Sequence, residues 1–120
     1  MVKRTFIEDP LFSKRWAELG LTDDELFQLQ NLLLTYPEKG DMIQGSGGIR
    51  KIRFPLPHKG KQGSVRVCYV DFSEYETVYF ITAYAKSQKE NISKDEKAVL
   101  RDLVKALKRE TRHNYRSVMP

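Results

Sequence analysis

The apolar positions of this chain separate into segments of different period. Phe12, Trp16 and Leu19 recur at i, i+4 and i+7 after Asp9-Pro10, a capping residue followed by a proline at the first helical position. Gly20 ends that run. Thr22-Asp23-Asp24-Glu25 is a capping box, and Leu26, Leu29, Leu33 and Tyr36 carry one apolar face to Pro37. The spacing predicts two short helices in a hairpin over residues 10–36, preceded by a short strand at Val2–Glu8 around Phe6 and Ile7. Gly40, Gly45, Gly47 and Gly48 then mark turns. Three strands follow at Ile49–Phe54, Val65–Phe72 and Thr77–Ala85, with a loop at Pro55–Gly63 and a tight hairpin at Ser73–Glu76. The last two strands are apolar on both faces, so their centres should be covered. Ser93-Lys94-Asp95-Glu96 is a second capping box and opens a helix with Leu100, Leu103, Val104 and Leu107 on one side.

The resulting order is β-α-α-β-β-β-α. Successive strands joined by short turns pair antiparallel, which predicts an α+β fold: a small antiparallel sheet with two N-terminal helices and one C-terminal helix, all on one face. Residues 1–110 read as one domain, and residues 111–120, which lack periodicity, as a mobile basic tail. Counting outward from the hairpin pairs Arg66 with Tyr84 and Phe72 with Val78.

Composition narrows the class. At 120 residues, with 40% hydrophobic and 31% charged positions, the chain is long enough for one core and is not of disordered composition. No apolar run is long enough for a signal peptide or membrane span. Cys68 is the only cysteine and His58 and His113 the only histidines, which excludes an intramolecular disulfide and leaves no zinc-ligand set. A reducing, cytoplasmic setting is expected, with Cys68 a small core residue.

Charge changes the picture more. Residues 42–70 hold Arg50, Lys51, Arg53, Lys59, Lys61 and Arg66 and no Asp or Glu, although the net charge of the chain is only +5. Residues 1–41 are acidic by three, and 86–120 basic by five. Clustered charge of one sign is what a polyanion surface needs, because each cation on a phosphate releases counterions. The loop His58-Lys59-Gly60-Lys61-Gln62-Gly63 combines glycines with cations but lacks the P-loop spacing. Tyr84 and Lys86 share a strand face and converge with Arg66 by register. Lys51 and Arg53 share one face of their strand and Arg50 takes the other, either as a phosphate rail or as protection of a sheet edge. With no carboxylates to hold Mg²⁺ and no Ser/His/Asp or Cys/His set, a catalytic site here would be metal-free, with no cofactor. It would work with Lys, Arg and Tyr on a substrate that carries its own nucleophile, as RNA does in its 2′-hydroxyl.

Several ordered segments resemble the RelE/ParE toxin superfamily, and HigB-type toxins of bacterial toxin–antitoxin modules in particular. They are Pro37-x-x-Gly40, Ile43-x-Gly45-x-Gly47-Gly48-Ile49-Arg50-Lys51-x-Arg53, Lys59-Gly60-Lys61-x-Gly63, Arg66-Val67-x-Tyr69 and Tyr84-x-Lys86. The resemblance implies a ribosome-dependent mRNA endonuclease that cuts in the A site and is neutralised by a tightly bound antitoxin, expected to be a helix-turn-helix protein. It implies that Arg66 stabilises the phosphate, Tyr84 orients or stacks on the substrate and Lys86 completes the site. Lys59 and Lys61 fall in the family's basic loop, with His58 a rival proton acceptor. Two other classes remain open from the residues: a ParE-like gyrase inhibitor, and a basic RNA-binding module without catalysis.

Overall fold

In the computed structural model, which describes residues 3–55, 64–85 and 93–118, the chain runs β1 (Thr5–Glu8), α1 (Pro10–Glu18), α2 (Asp23–Thr35), β2 (Asp41–Met42), β3 (Ile49–Pro55), β4 (Ser64–Phe72), β5 (Thr77–Ala85) and α3 (Lys94–Val118). The capping motifs set the helix starts. Asp9 accepts from Leu11 N at 2.9 Å. Thr22 and Glu25 form a reciprocal box, as do Ser93 and Glu96, with both bonds at 3.2 Å. The sheet order is β1-β5-β4-β3-β2; β1 lies parallel to β5 and every other pair is antiparallel.

The helices occupy both faces, which corrects the expectation of a single helical layer. Val67, Tyr69, Val78 and Phe80 face α1 and α2, where they meet Phe12, Trp16, Leu29 and Leu33. Cys68, Val70, Phe72 and Ile81 face α3, where they meet Val104 and Leu107. The reason is in β4 and β5 themselves: with apolar side chains on both sides, one helical layer would leave the second face in water. Phe80 is the pivot of the first core, stacking on Phe12 at 4.8 Å and on Phe6 at 5.8 Å.

Tyr69 ties the α2–β2 connection to this core. Its hydroxyl accepts from Gly40 N at 3.0 Å and donates to Pro37 O at 2.8 Å. A Cβ on residue 40 would sit 2.9 Å from the Tyr69 ring, so only glycine allows the approach.

The register of β4 and β5 departs from simple counting. Phe72 pairs with Thr77 and Tyr69 with Phe80, but Cys68 pairs with Thr82, Val67 with Ala83 and Arg66 with Tyr84. Ile81 is therefore an extra residue, a β-bulge, placed directly after the last β1–β5 pair, Glu8 with Phe80. The expected Arg66–Tyr84 pair is present, but the expected Phe72–Val78 pair, on the hairpin side of the bulge, is off by one: the turn is centred earlier than counting assumed, and the extra residue makes up the difference only beyond the bulge.

Residues 111–118 fall within the stretch expected to be a tail, and here they are helical. α3 continues unbroken to Val118. Thr111 is buried, the Tyr115 ring lies 5.8 Å from that of Tyr75, and Tyr115 Oη donates to the Glu76 carboxylate at 3.3 Å. The stripe that holds the helix down runs Val104, Leu107, Thr111, Tyr115, with heptad-like spacing, but its last two members are polar and hide the period. Ending the chain after Glu110 should therefore destabilise the fold. Removing that ring pair, its hydrogen bond and the burial of Thr111 costs roughly 1–3 kcal/mol, read in a thermal melt as a fall of several degrees. An unchanged melting temperature would show that these interactions contribute nothing.

Candidate nucleic-acid interface

The bulge brings three side chains into one row. Arg53 on β3 is directly opposite Arg66 on β4, and Arg66 is directly opposite Tyr84 on β5. Directly paired residues share a sheet face, and strands lie about 4.8 Å apart, so the row crosses roughly 10 Å. The next row inward is Lys51, Cys68 and Thr82. Both rows are on the α3 side, because Cys68 belongs to the core that α3 covers. Arg53 is exposed, while Lys51, Arg66 and Tyr84 are half-buried.

Arg66 stands out within this arrangement. Its Nη1 is buried and finds no hydrogen-bond partner among the described residues. Its two cross-strand neighbours are another arginine and a tyrosine, neither of which neutralises it. A buried donor without an acceptor costs free energy, so a guanidinium held this way is preorganised for an anion that is not part of the fold.

The sequence-derived candidates divide. Lys51 and Arg53 lie with Arg66 and Tyr84 on one face. Arg50 lies on the other, opposite Tyr69, and its Nη1 donates to Glu38 O at 3.1 Å and Gly40 O at 2.8 Å. Arg50 thus braces the same turn that Tyr69 holds. His58, Lys59, Lys61 and Lys86 lie outside the described residues. Cys68 is buried, and burial pushes its thiol up to about 11 despite the nearby Lys51 cation, so it is protonated at neutral pH and unsuited to nucleophilic attack. Among the described residues no cluster of His, Cys, Asp and Glu could hold a metal ion.

Sequence reasoning missed the groove beside Tyr84. It has a volume of about 600 Å³, and Leu11, Ile43, Ile81, Val99 and Leu100 are among the residues that line it. Val99 is 68% exposed, an apolar residue outside the buried stripe of α3. The only signal in the sequence was Val99 and Leu103 at i, i+4, which also reads as part of an ordinary core face. Thr82 was missed too, because strict alternation along β5 assigns it to the other side.

A family model describing the RelE toxin of the RelE/RelB toxin–antitoxin system matches residues 6–119 of this chain. Among solved structures, the chain is similar to the E. coli toxin RelE, determined as a mutant in the free state. The TM-score is 0.51 at 20% identity, over 72% of this chain and 86% of that one. At that identity the likeness concerns the fold.

Two outcomes follow from the geometry. Removing the guanidinium in Arg66→Met, whose Nη1 is buried without a partner among the described residues, should leave the melting temperature unchanged or raise it by a few degrees, because a desolvated donor is removed and the aliphatic stem is kept. A marked loss of stability would mean that Arg66 is satisfied in the fold. Cys68 should resist a thiol-alkylating reagent at pH 8 in the native protein and react readily once unfolded; equal rates in both states would contradict its burial and raised pKa.

Proposed function

Because the chain belongs to the RelE toxin family of RelE/RelB toxin–antitoxin systems, we propose that it is a ribosome-dependent mRNA interferase, an endoribonuclease that cuts message in the ribosomal A site and so stops translation. The observation that carries this reading is the half-buried Arg66, its Nη1 unpartnered among the described residues, set between Arg53 and Tyr84 on one sheet face. A phosphate on that row gives the orphan donor its acceptor. As negative charge builds on the non-bridging oxygens during attack, the interaction strengthens, which is the condition for lowering a barrier rather than merely binding.

In the reaction, the substrate's 2′-hydroxyl oxygen attacks the adjacent phosphorus. The O2′–P bond forms, the P–O5′ bond breaks, and the products are a 2′,3′-cyclic phosphate and a free 5′-hydroxyl. The 2′-hydroxyl proton goes to a base drawn from Lys59, Lys61 and His58, and Lys86, two residues after Tyr84 in the sequence, is assigned to assist the leaving oxygen. A lysine in this role needs a lowered pKa, and the concentration of cations along this acid-free part of the sequence acts in that direction. Tyr84 and the apolar groove next to it offer a surface on which a splayed base can stack. No metal enters, since residues 42–70 carry no carboxylate to hold one. The partner in the cell is a cognate helix-turn-helix antitoxin that covers or distorts the basic face, or blocks ribosome entry by bulk.

Expression of the chain without an antitoxin should halt incorporation of labelled amino acids before that of thymidine. DNA synthesis stopping first would favour gyrase inhibition instead. Arg66→Ala should lower cleavage of message on ribosomes by roughly 10²–10³-fold. Substituting 2′-deoxyribose before the scissile phosphate should block cutting while ribosome binding persists. Undiminished cutting of that message would overturn the 2′-hydroxyl mechanism.

A further inference from the structure

α3 carries a second cationic surface that the cleavage row does not use. Lys94, Lys97, Arg101, Lys105, Arg112 and Arg116 recur at spacings of three or four, or at their sum, with Lys108 filling the one gap. At 100° per residue all seven fall within a sector of roughly 100°, and at 1.5 Å per residue the stripe is about 33 Å long. The acids of the helix, Asp95, Glu96, Asp102 and Glu110, lie outside that sector. Six of the seven cations are exposed and Lys97 is half-buried. Lys108 alone is ion-paired with a described residue, Glu74 at 3.5 Å.

The stripe borders the acid-free turn before β3. A Cβ on Gly45 would lie 3.5 Å from Lys97 Cδ, and one on Gly47 would lie 3.6 Å from Arg101. At its N-terminal end, α3 sends Glu96, Val99 and Leu100 into the groove that Tyr84 lines. The rail therefore starts beside the cleavage row and runs away from it.

We infer that this face of α3 is a docking rail for the backbone of double-stranded RNA, separate from the row that cuts; the choice of RNA rests on the function proposed above. A straight row of cations on a rigid helix suits a duplex backbone, whose phosphates are themselves in fixed positions. A single strand calls for interleaved aromatic platforms, and the one aromatic at the edge of the sector, Tyr115, is turned onto Tyr75 and Glu76. No Asn or Gln stands on the stripe to read adenine edges, so binding follows backbone and shape rather than sequence. The rail holds folded RNA around the message while the row acts on the message itself.

The test uses the full chain carrying Arg66→Ala, so that no probe is cut. Its affinity is measured for an arbitrary RNA duplex of about 20 base pairs, long enough for two minor grooves, for the DNA duplex of the same sequence, and for the single RNA strand. Adding Lys105→Gln, Arg112→Gln and Arg116→Gln, all exposed positions, should weaken binding of the RNA duplex at least tenfold near 0.1 M salt. The slope of log affinity against log salt should fall by about 2–3, one unit or slightly less for each phosphate that no longer meets a cation. A second variant with Lys94→Gln and Arg101→Gln should do the same in proportion, and a thermal melt of each confirms folding. Unchanged affinity and slope in both variants would overturn the inference. So would equal losses for the DNA duplex, or losses confined to an acidic antitoxin peptide, which would reassign the rail to a protein partner. The interferase reading is judged apart, by message cleavage on ribosomes with the native chain: its absence sinks that reading while leaving a duplex-binding result in force.

Discussion

Ile81 has no partner in β4, and the character of the sheet's basic end follows from that one extra residue. Below it, β4 and β5 keep a register in which Tyr69 meets Phe80; above it the register is shifted by one, and Arg66 meets Tyr84. Carried upward without the bulge, the lower register would set Arg66 against Ala83 and turn Tyr84 toward α1 and α2, since a one-residue slip exchanges the faces of every side chain beyond it. The shift also puts small Ala83 into the α1–α2 core and Thr82 on the α3 side. The bulge occurs where β1 has just ended and the chain turns into α1, so β5 has lost one of its two neighbours there and is free to kink.

The cost of this arrangement is concentrated in one group. A guanidinium nitrogen buried without an acceptor among the described residues is unfavourable for the fold alone. The surrounding structure tolerates it because Val65 and Val67 on β4 pack a dense apolar layer on the opposite face, fixing the strand whatever Arg66 does. The apolar packing and the unsatisfied donor thus occupy opposite faces of the same strand, a common arrangement where a rigid element presents a strained group.

α3 serves two surfaces in a similar way. One side closes the second core through Val104 and Leu107 and anchors its far end through Thr111 and Tyr115. The adjacent side is cationic along the whole helix. A helix that frayed after Glu110 could not keep its terminal cations in line, so the contacts of Tyr115 with Tyr75 and Glu76 also determine how long the charged rail is.

The sequence by itself determined the helices of the N-terminal hairpin, their caps, the three long strands and the acid-free basic segment. Each of these rests on local chemistry: a side chain that caps its own helix, an apolar period, a run of charge. Even the Arg66–Tyr84 pairing was reached by counting about the hairpin, because the extra residue at the bulge offsets the one-residue error that counting makes next to the turn. Alternation along β3 already separated Arg50 from Lys51 and Arg53; only the tertiary structure decided what each face meets, and therefore that Arg50 braces the turn at Gly40 while Lys51 and Arg53 join Arg66. It also decided that helices cover both sides of the sheet and that residues 111–118 continue α3. These depend on contacts between segments far apart in the chain: Arg50 with the carbonyls of Glu38 and Gly40, Tyr69 with Pro37, and Tyr115 with Glu76. A period-based reading sees apolar spacing within one segment. It has no access to a polar residue buried because another element supplies its partner, or to a strand whose alternation is broken by one residue.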